Sequence, residues 1–143
     1  MITAVDTNVL LDVFLDDPCF GMSSAALLRR CIGEGVVAVG EVVWAECAAA
    51  FPNDEDFRTA MAALGVNFVA TSADAALRAG RAWRQYRSRG GSRQRMVADF
   101  LIGAHALVQT DRLLSRDRGF YATYFHDLTV LDPSHQVRPT PSS

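Results

Sequence analysis

Two aspartates follow predicted buried strands, at positions where parallel sheets bind ligands. Asp6 comes directly after Ile2–Val5, and Asp117 comes shortly after Arg112–Leu114. In a sheet of parallel strands, the carboxyl ends of the strands line the crevice in which ligands bind. Both carboxylates are therefore candidates for binding a ligand or a metal ion.

Two further acids, Glu46 and Asp99, lie on predicted helix faces that are otherwise apolar. The residues three and four positions from Glu46 are Val42, Val43, Ala49 and Ala50, and those that share the face of Asp99 are Met96, Ile102, Gly103 and Ala106. Burying an ionised carboxylate without a partner is costly or raises its pKa. We therefore expect each of these acids to face inward and to have a cation, a set of donors or a polar cleft beside it.

Most of these acids, taken alone, have an ordinary explanation. Asp117 can cap a helix, Asp6 can stand in a turn, and Asp99 suits the positive end of a helix dipole. Taken together, the four acids would bring like charges into one pocket, which is unstable unless a divalent cation neutralises them. Ligation by oxygen alone favours a hard ion, so the sequence predicts Mg²⁺ or Mn²⁺.

The composition indicates one globular domain. The chain has 143 residues, of which 50% are hydrophobic and 21% are charged, and this is enough for a single core. It contains no run of about 20 uncharged apolar residues and no basic segment before its first apolar run, so we expect a cytoplasmic protein without a membrane span or a signal peptide. We expect residues 1–132 to form the domain and residues 133–143 to form a mobile tail.

The residue types that are absent or scattered exclude several classes of protein. All 14 basic residues are arginine, which excludes a nucleotide hydrolase with a P-loop lysine, and no GxGxxG motif follows a strand. Cys19, Cys31 and Cys47 are odd in number and widely spaced, with no histidines at ligand spacing. Neither a disulfide framework nor a zinc site is therefore supported.

The predicted elements alternate between strands and helices. Strands are predicted over residues 2–5, 36–39, 66–69, 112–114 and 128–131, and helices over residues 8–15, 21–35, 41–51, about 53–64, about 72–86, 96–108 and 118–125. Such alternation predicts an α/β fold with a mostly parallel central sheet and helices on both of its faces. Two of the four acids then lie at strand ends and two on helices that cover the sheet.

Four segments of the sequence, in register with one another, resemble the PIN domain. They are Ile-x-x-Val-Asp6-Thr7-Asn8-Val-Leu, Val-Val-Trp-Ala-Glu46, Asp99-Phe-Leu-Ile-Gly-Ala and Leu-Leu-Ser115-Arg-Asp117-Arg-Gly-Phe-Tyr. Their order and spacing fit the family over nearly the whole chain. Within the family, the chain most resembles the VapC-type toxin ribonucleases of bacterial toxin-antitoxin pairs. The resemblance implies a three-layer, Rossmann-like sandwich.

The resemblance also implies roles for the site residues. The metal-binding and catalytic acids would be Asp6, Glu46, Asp99 and Asp117, supported through hydrogen bonds by Asn8 and Ser115. Many family members have threonine where Ser115 stands, and serine keeps the hydroxyl. The implied activity is that of an endoribonuclease dependent on Mg²⁺ or Mn²⁺, which leaves 5′-phosphate and 3′-hydroxyl ends. The implied partners are an RNA substrate, a cognate antitoxin and a second copy of the chain in a homodimer.

A basic stretch without acids leads to Asp99. It runs from Ala75 to Ala98 and contains Arg78, Arg81, Arg84, Arg87, Arg89, Arg93 and Arg95. The net charge of −2 argues against strong nonspecific binding of nucleic acid by the whole chain. The stretch is compatible with contacts to an RNA backbone, for which Arg93 and Arg95 are the candidates, and equally with a solvated helix face.

Two other functions are compatible with this sequence. One is a PIN nuclease that processes RNA without any antitoxin. The other is a PIN module that binds RNA or protein but does not cleave, although the presence of all four acids weighs against it. Metal-dependent cleavage of RNA, compared between the wild type and Asp6→Asn, would separate a catalyst from a binder.

Overall fold

The structure, a computed structural model, describes residues 1–91 and 95–135. Its strands are β1 (Ile2–Val5), β2 (Val36–Val39), β3 (Val66–Phe68), β4 (Arg112–Leu114) and β5 (Val130–Leu131). Its α-helices are α1 (Thr7–Phe14), α2 (Gly21–Glu34), α3 (Glu41–Ala48), α4 (Asp54–Leu64), α5 (Ala73–Ser88), α6 (Val97–Gln109) and α7 (Arg118–Tyr124), and a 3-10 turn covers Pro133–His135. No helix in the described ranges has both the length and the apolar composition needed to cross a membrane.

The five strands form one sheet in the order β3-β2-β1-β4-β5, and each described pairing is parallel. From β1 the chain moves outward to β2 and β3 on one side and then returns to β4 on the other side of β1. The direction of the strand order therefore reverses between β1 and β4, which makes their carboxyl ends a topological switch point, a usual place for a ligand crevice. Val5 pairs with Leu114 across these strands, so the residues that follow them lie at this crevice.

The sheet is covered on both of its faces. The last three residues of β1 and β2 and all three of β4 are buried. Because successive side chains of a strand point to opposite faces, such runs require cover above and below the sheet. Helix α2 packs against β2, and helix α6 packs against β1 and β4. The predicted α/β fold, with a mostly parallel sheet between two layers of helices, is confirmed.

The predicted elements agree with the structure except at a few ends. Helix α3 ends at Ala48 rather than Phe51, because the Phe51 amide donates to the Ala48 carbonyl in a tighter turn. Strand β5 begins at Val130 rather than Leu128, whose amide closes a turn onto the Phe125 carbonyl. These differences concern local turns, and they do not change the order of the elements.

Two predictions concern residues that the structure does not describe. Arg93, a candidate RNA contact, lies between the two described ranges, and most of the predicted mobile tail follows residue 135. Within the predicted tail, Pro133–His135 forms the 3-10 turn. The boundary at residue 132 and the mobility of the tail stay predictions.

Candidate active site

Asp6 lies at the carboxyl end of the central strand β1, where the chain enters α1. Its amide donates to the carbonyl oxygen of Leu114 at 2.9 Å, which extends the pairing of β1 with β4 by one residue. Its side chain caps α1, because Oδ1 accepts a hydrogen bond from the Thr7 amide at 2.7 Å. The positive end of the helix favours a negative charge there. Strand and helix together hold the Asp6 carboxylate at the switch point.

The other carboxylate oxygen of Asp6 is surrounded by neutral donors. Oδ2 accepts from Ser115 Oγ at 2.7 Å and from Tyr121 OH at 2.8 Å, and Asn8 Nδ2 lies 3.5 Å away. Asp6 is only 6% exposed, and burial raises its pKa, although the hydrogen bonds from Ser115 and Tyr121 act in the opposite direction. Among the described residues, no arginine forms an ion pair with Asp6. Asp6 is therefore a buried acid whose hydrogen-bond donors, within the described ranges, are all neutral.

Asp117 precedes α7 and is paired with an arginine. The Arg95 guanidinium donates through Nη1 to Oδ2 and through Nη2 to Oδ1, the latter bond being 3.1 Å long. The Asp117 amide donates to Ser115 Oγ at 3.0 Å. Because the same hydroxyl donates to Asp6, Ser115 links the Asp6 carboxylate to the backbone of Asp117. The Asp117 side chain does not cap α7, so the alternative explanation of this residue as a helix cap is not supported.

Asp99 lies in the first turn of α6, half-buried. Its Oδ2 accepts from the Met96 amide at 3.2 Å, so it stabilises the start of its own helix, as the ordinary explanation expects. Its charge also acts on a phenol that the charges of Asp6 and Asp117 reach. Burial raises the pKa of the Tyr121 hydroxyl well above its ordinary value, and three charges raise it further, those of Asp6, Asp99 and Asp117. One phenol is therefore within electrostatic range of three carboxylates.

Glu46 is exposed, which corrects the expectation that it lies on an inward helix face. The buried face of α3 is formed by Val43 and Cys47. The apolar neighbours Ala49 and Ala50 follow the end of α3 and are themselves exposed. The pattern of small apolar residues was wrongly interpreted as a buried stripe, because the helix ends before the stripe is complete.

Glu46 is nevertheless connected to the neighbourhood of Asp6. Its Oε1 accepts from Thr7 Oγ1 at 2.7 Å, and Thr7 is the residue that follows Asp6. The pKa of the Cys47 thiol is raised to about 12 by burial, and the charges of Glu46 and Asp6 add to this shift. Both acids are therefore within electrostatic range of one thiol, with Glu46 on the solvent side.

An ion pair between a partly buried arginine and a buried aspartate holds the loop that carries Ser115 and Asp117. Arg116, which stands between them, donates through Nε to Asp12 Oδ2 at 2.7 Å and through Nη2 to Asp12 Oδ1 at 3.0 Å. The Arg116 amide also donates to Asn8 Oδ1 at 3.2 Å. Since Asp12 and Asn8 both belong to α1, this helix fixes the loop at two points.

The acidic side chains at this crevice have the chemistry to bind a divalent cation, but in their present positions they do not form a complete metal site. Carboxylate oxygens are the ligands that Mg²⁺ and Mn²⁺ prefer. Within residues 1–91 and 95–135, however, no three acidic, histidine or cysteine side chains are close enough together to hold an ion. Both oxygens of Asp117 are taken by Arg95. A cation could use these residues only after Asp117 is released and the acids move closer together.

Two side chains at the crevice are not predicted from the sequence, Tyr121 and Thr7. Tyr121 comes four residues after Asp117, and this helical spacing, which places side chains on one face, is a signal that could have found it. For Thr7 the sequence offers no signal beyond its position next to Asp6. The hydrogen bonds expected of Ser115 and Asn8 are present, the one from Asn8 at the limit of length. Arg95 contacts Asp117, and its role as an RNA contact stays a prediction.

Comparison with known proteins identifies one family. The PIN domain matches residues 3–126, whereas no curated protein shows a significant match. Among solved structures, the chain is similar to VapBC2 from Rickettsia felis bound to a DNA fragment from their promoter, with a TM-score of 0.73 at 18% identity, covering 92% of this chain and 98% of that one. It is also similar to VapBC-1 from nontypeable Haemophilus influenzae, with a TM-score of 0.71 at 19% identity, covering 94% and 99%.

A third similar structure is a toxin-antitoxin complex from Klebsiella pneumoniae, with a TM-score of 0.61 at 21% identity, covering 92% of this chain and 97% of that one. At such identities these likenesses concern the fold. The family match shows membership and not only a shared fold, because it spans most of the chain, including the positions of Asp6, Glu46, Asp99 and Asp117. The chain belongs to the PIN domain family.

Proposed function

We propose that this chain is an endoribonuclease dependent on Mg²⁺ or Mn²⁺ and acts as the toxin of a toxin-antitoxin pair. The observation that carries the proposal is the environment of Asp6, which is buried at the switch point with neutral donors around it. A buried carboxylate of this kind is stabilised in its charged form by a nearby cation. Membership of the PIN domain family supports the same conclusion.

In this proposal, four acids hold the cation, with two residues supporting them through hydrogen bonds. The acids are Asp6, Glu46, Asp99 and Asp117, and the supporting residues are Asn8 and Ser115. When bound, the cation supplies the positive charge that activates water and stabilises the departing oxygen of a phosphodiester. Ser115 and Tyr121 fix the Asp6 carboxylate from the core side.

The side that RNA approaches is formed by the partly exposed Asp99 and Asp117 and by the exposed Glu46. We expect 5′-phosphate and 3′-hydroxyl products.

The basic stretch contributes to RNA binding only through some of its arginines. Arg78 is engaged within the protein, because Nη2 donates to the Tyr124 carbonyl at 3.1 Å and the guanidinium lies 4.8 Å from the Phe125 ring centre. Among the described residues of the stretch, the exposed arginines are Arg81, Arg84, Arg87 and Arg89. We propose that these four attract the RNA backbone, since their charges face solvent.

An antitoxin partner is part of the proposal. The similar solved structures include complexes that are named VapBC and a complex named as toxin-antitoxin. A toxin that cuts cellular RNA requires an inhibitor in the same cell, and it would act in the cytoplasm, as predicted from the sequence. Homodimerisation stays a prediction of the resemblance.

The experiment that tests the proposed activity is cleavage of mixed RNA by the purified chain. We expect cleavage with Mg²⁺ or Mn²⁺, none with EDTA, and none by Asp6→Asn under either condition. The matched control is Asp16→Asn, which removes one charge from an exposed aspartate shortly after the end of α1. Full activity of Asp6→Asn, or no cleavage by the wild type with either metal, would contradict the proposal.

A growth assay separates the toxin from an RNA-processing nuclease. We expect expression of the wild type alone to arrest growth, expression of Asp6→Asn to leave growth normal, and coexpression of the proposed antitoxin to relieve the arrest. A processing nuclease would cut RNA in the test tube without arresting growth. A module that only binds would retain RNA in a filter assay with the metal present and leave it intact.

A further inference from the structure

One of the candidate metal ligands, Asp117, is already bound by an arginine of the same chain. Arg95 makes a two-point contact with Asp117, in which each nitrogen of the guanidinium fork donates to a different carboxylate oxygen. The planar fork of arginine matches a carboxylate in this geometry. Both oxygens of Asp117 are consequently directed at Arg95 instead of at the space beside Asp6.

A second contact, with a residue of α7, fixes the position of Arg95. Its guanidinium lies 4.3 Å from the ring centre of Phe120, a buried residue of α7. A cation over an aromatic face is attracted to the ring. Because Asp117 and Phe120 are three residues apart, one stretch of chain provides both the acid and the aromatic surface. The position of Arg95 is thus set by two contacts.

The pair between Arg95 and Asp117 is exposed enough to exchange. Each of the two side chains is 32% exposed, so water and ions reach both. In the pair between Arg116 and Asp12, the acid is only 4% exposed. Partly exposed ion pairs contribute little free energy, whereas a divalent ion bound to several carboxylates competes well for each of them. The exposed pair is therefore the one that a cation is able to displace.

We propose that Arg95 is an internal counter-ion, which neutralises Asp117 in the metal-free chain and is displaced when a divalent cation binds. The inference rests on the proposed metal-dependent function and adds a competitor for the metal from within the same chain. Within the described residues no three-ligand cluster is present, and the contact with Arg95 keeps Asp117 from joining one. Arg95 thus sets the cation concentration at which the site fills.

The test is a titration of the full-length, metal-free chain with Mn²⁺, with free Mn²⁺ measured by electron paramagnetic resonance. We expect Arg95→Gln to bind Mn²⁺ roughly two- to five-fold more tightly than the wild type, the range that ion pairs of this exposure support. Arg95→Lys keeps the charge but loses the two-point contact, so its affinity should lie between the two. The matched control is Arg118→Gln, since Arg118 is exposed and directly follows Asp117.

A second readout is thermal unfolding with and without Mn²⁺. We expect the rise in unfolding temperature on adding Mn²⁺ to be larger for Arg95→Gln than for the wild type and unchanged for Arg118→Gln. Equal tightening by Arg95→Gln and Arg118→Gln would overturn the proposal, because it would show a general effect of local charge. Unchanged or weaker binding by Arg95→Gln, or no Mn²⁺ binding by either protein, would overturn it too.

These outcomes are distinguishable from failure of the proposed function. If Arg95→Gln tightens Mn²⁺ binding but RNA is not cut, the counter-ion role stands and the nuclease proposal fails. If RNA is cut in a metal-dependent way but Arg95→Gln leaves Mn²⁺ affinity unchanged, the nuclease proposal stands and the counter-ion role fails.

Discussion

Asp6 and Asp12 are both buried aspartates at the start of the chain, 6% and 4% exposed, yet their partners differ in kind. Asp12 has the Arg116 guanidinium on both oxygens and the Ser24 hydroxyl on Oδ2 at 2.8 Å. Within residues 1–91 and 95–135, the partners of Asp6 are an amide, two hydroxyls and a distant side-chain amide, all of them neutral. A buried acid with a full counter-charge serves the fold, whereas one with only neutral donors is suited to binding a cation.

The largest expected effect is on catalysis, and it concerns Asp6. Asp6→Asn should lower the rate of RNA cleavage on the order of 1,000-fold, because loss of a metal ligand removes several kcal/mol of stabilisation of the transition state. The same variant should leave the metal-free chain as stable as the wild type or more stable at neutral pH, since it removes a buried charge. Initial rates and urea unfolding measure the two quantities. Strong destabilisation by Asp6→Asn would show that the carboxylate serves the fold.

The next effect is on stability, and it concerns Asp12. Asp12→Asn should lower the free energy of unfolding by about 2 kcal/mol, because it leaves the partly buried Arg116 without its counter-ion. Urea unfolding of Asp12→Asn beside Asp16→Asn, which alters an exposed acid, measures this cost. If Asp12→Asn were as stable as the control, the difference between the two buried acids would not lie in their partners.

A smaller effect is expected from the phenol that donates to Asp6. Tyr121→Phe should weaken Mn²⁺ binding about ten-fold, because partners of a ligand tune its orientation and charge. Tyr124→Phe is the matched control, since it removes a phenol hydroxyl from the same helix, where the Tyr124 ring packs against Phe100 and Phe120. Equal affinities of Tyr121→Phe and the wild type in the Mn²⁺ titration would mean that Tyr121 only fills space.

The smallest effect is a dependence of stability on pH. Burial raises the pKa of Asp6 in the folded chain above its ordinary value of 3.8. At a pH between the ordinary pKa and the folded pKa, the folded chain therefore keeps a proton that the unfolded chain has released. The free energy of unfolding in EDTA should therefore fall as the pH rises from about 4 through the folded pKa. The difference between the wild type and Asp6→Asn isolates this contribution. A difference that is constant with pH, or one that grows in favour of the wild type, would contradict it.

The fold and the approximate place of the site follow from local patterns in the sequence. Short apolar runs and helical periods predict the strands and helices of the described residues. The strand ends predict a common crevice for Asp6 and Asp117, and the charge of Asp117 does act on the Asp6 carboxylate. Glu46 was wrongly predicted to be inward, because small alanines after α3 resemble a buried stripe. Local sequence patterns also do not predict which charged residues pair with each other. Arg116 and Asp12 are far apart in the sequence, and no sequence pattern indicates the contact of Arg95 with Asp117.

The most direct test of a cation at Asp6 is a crystal of the chain soaked in Mn²⁺ and measured at a wavelength where manganese scatters anomalously. We expect an anomalous peak within about 2.5 Å of an Asp6 carboxylate oxygen, shared with at least one of Asp99 and Asp117, with Arg95 no longer on Asp117. No peak at Asp6 at saturating Mn²⁺, or a peak only at acids on the far surface, would contradict the assignment of Asp6 as a metal ligand.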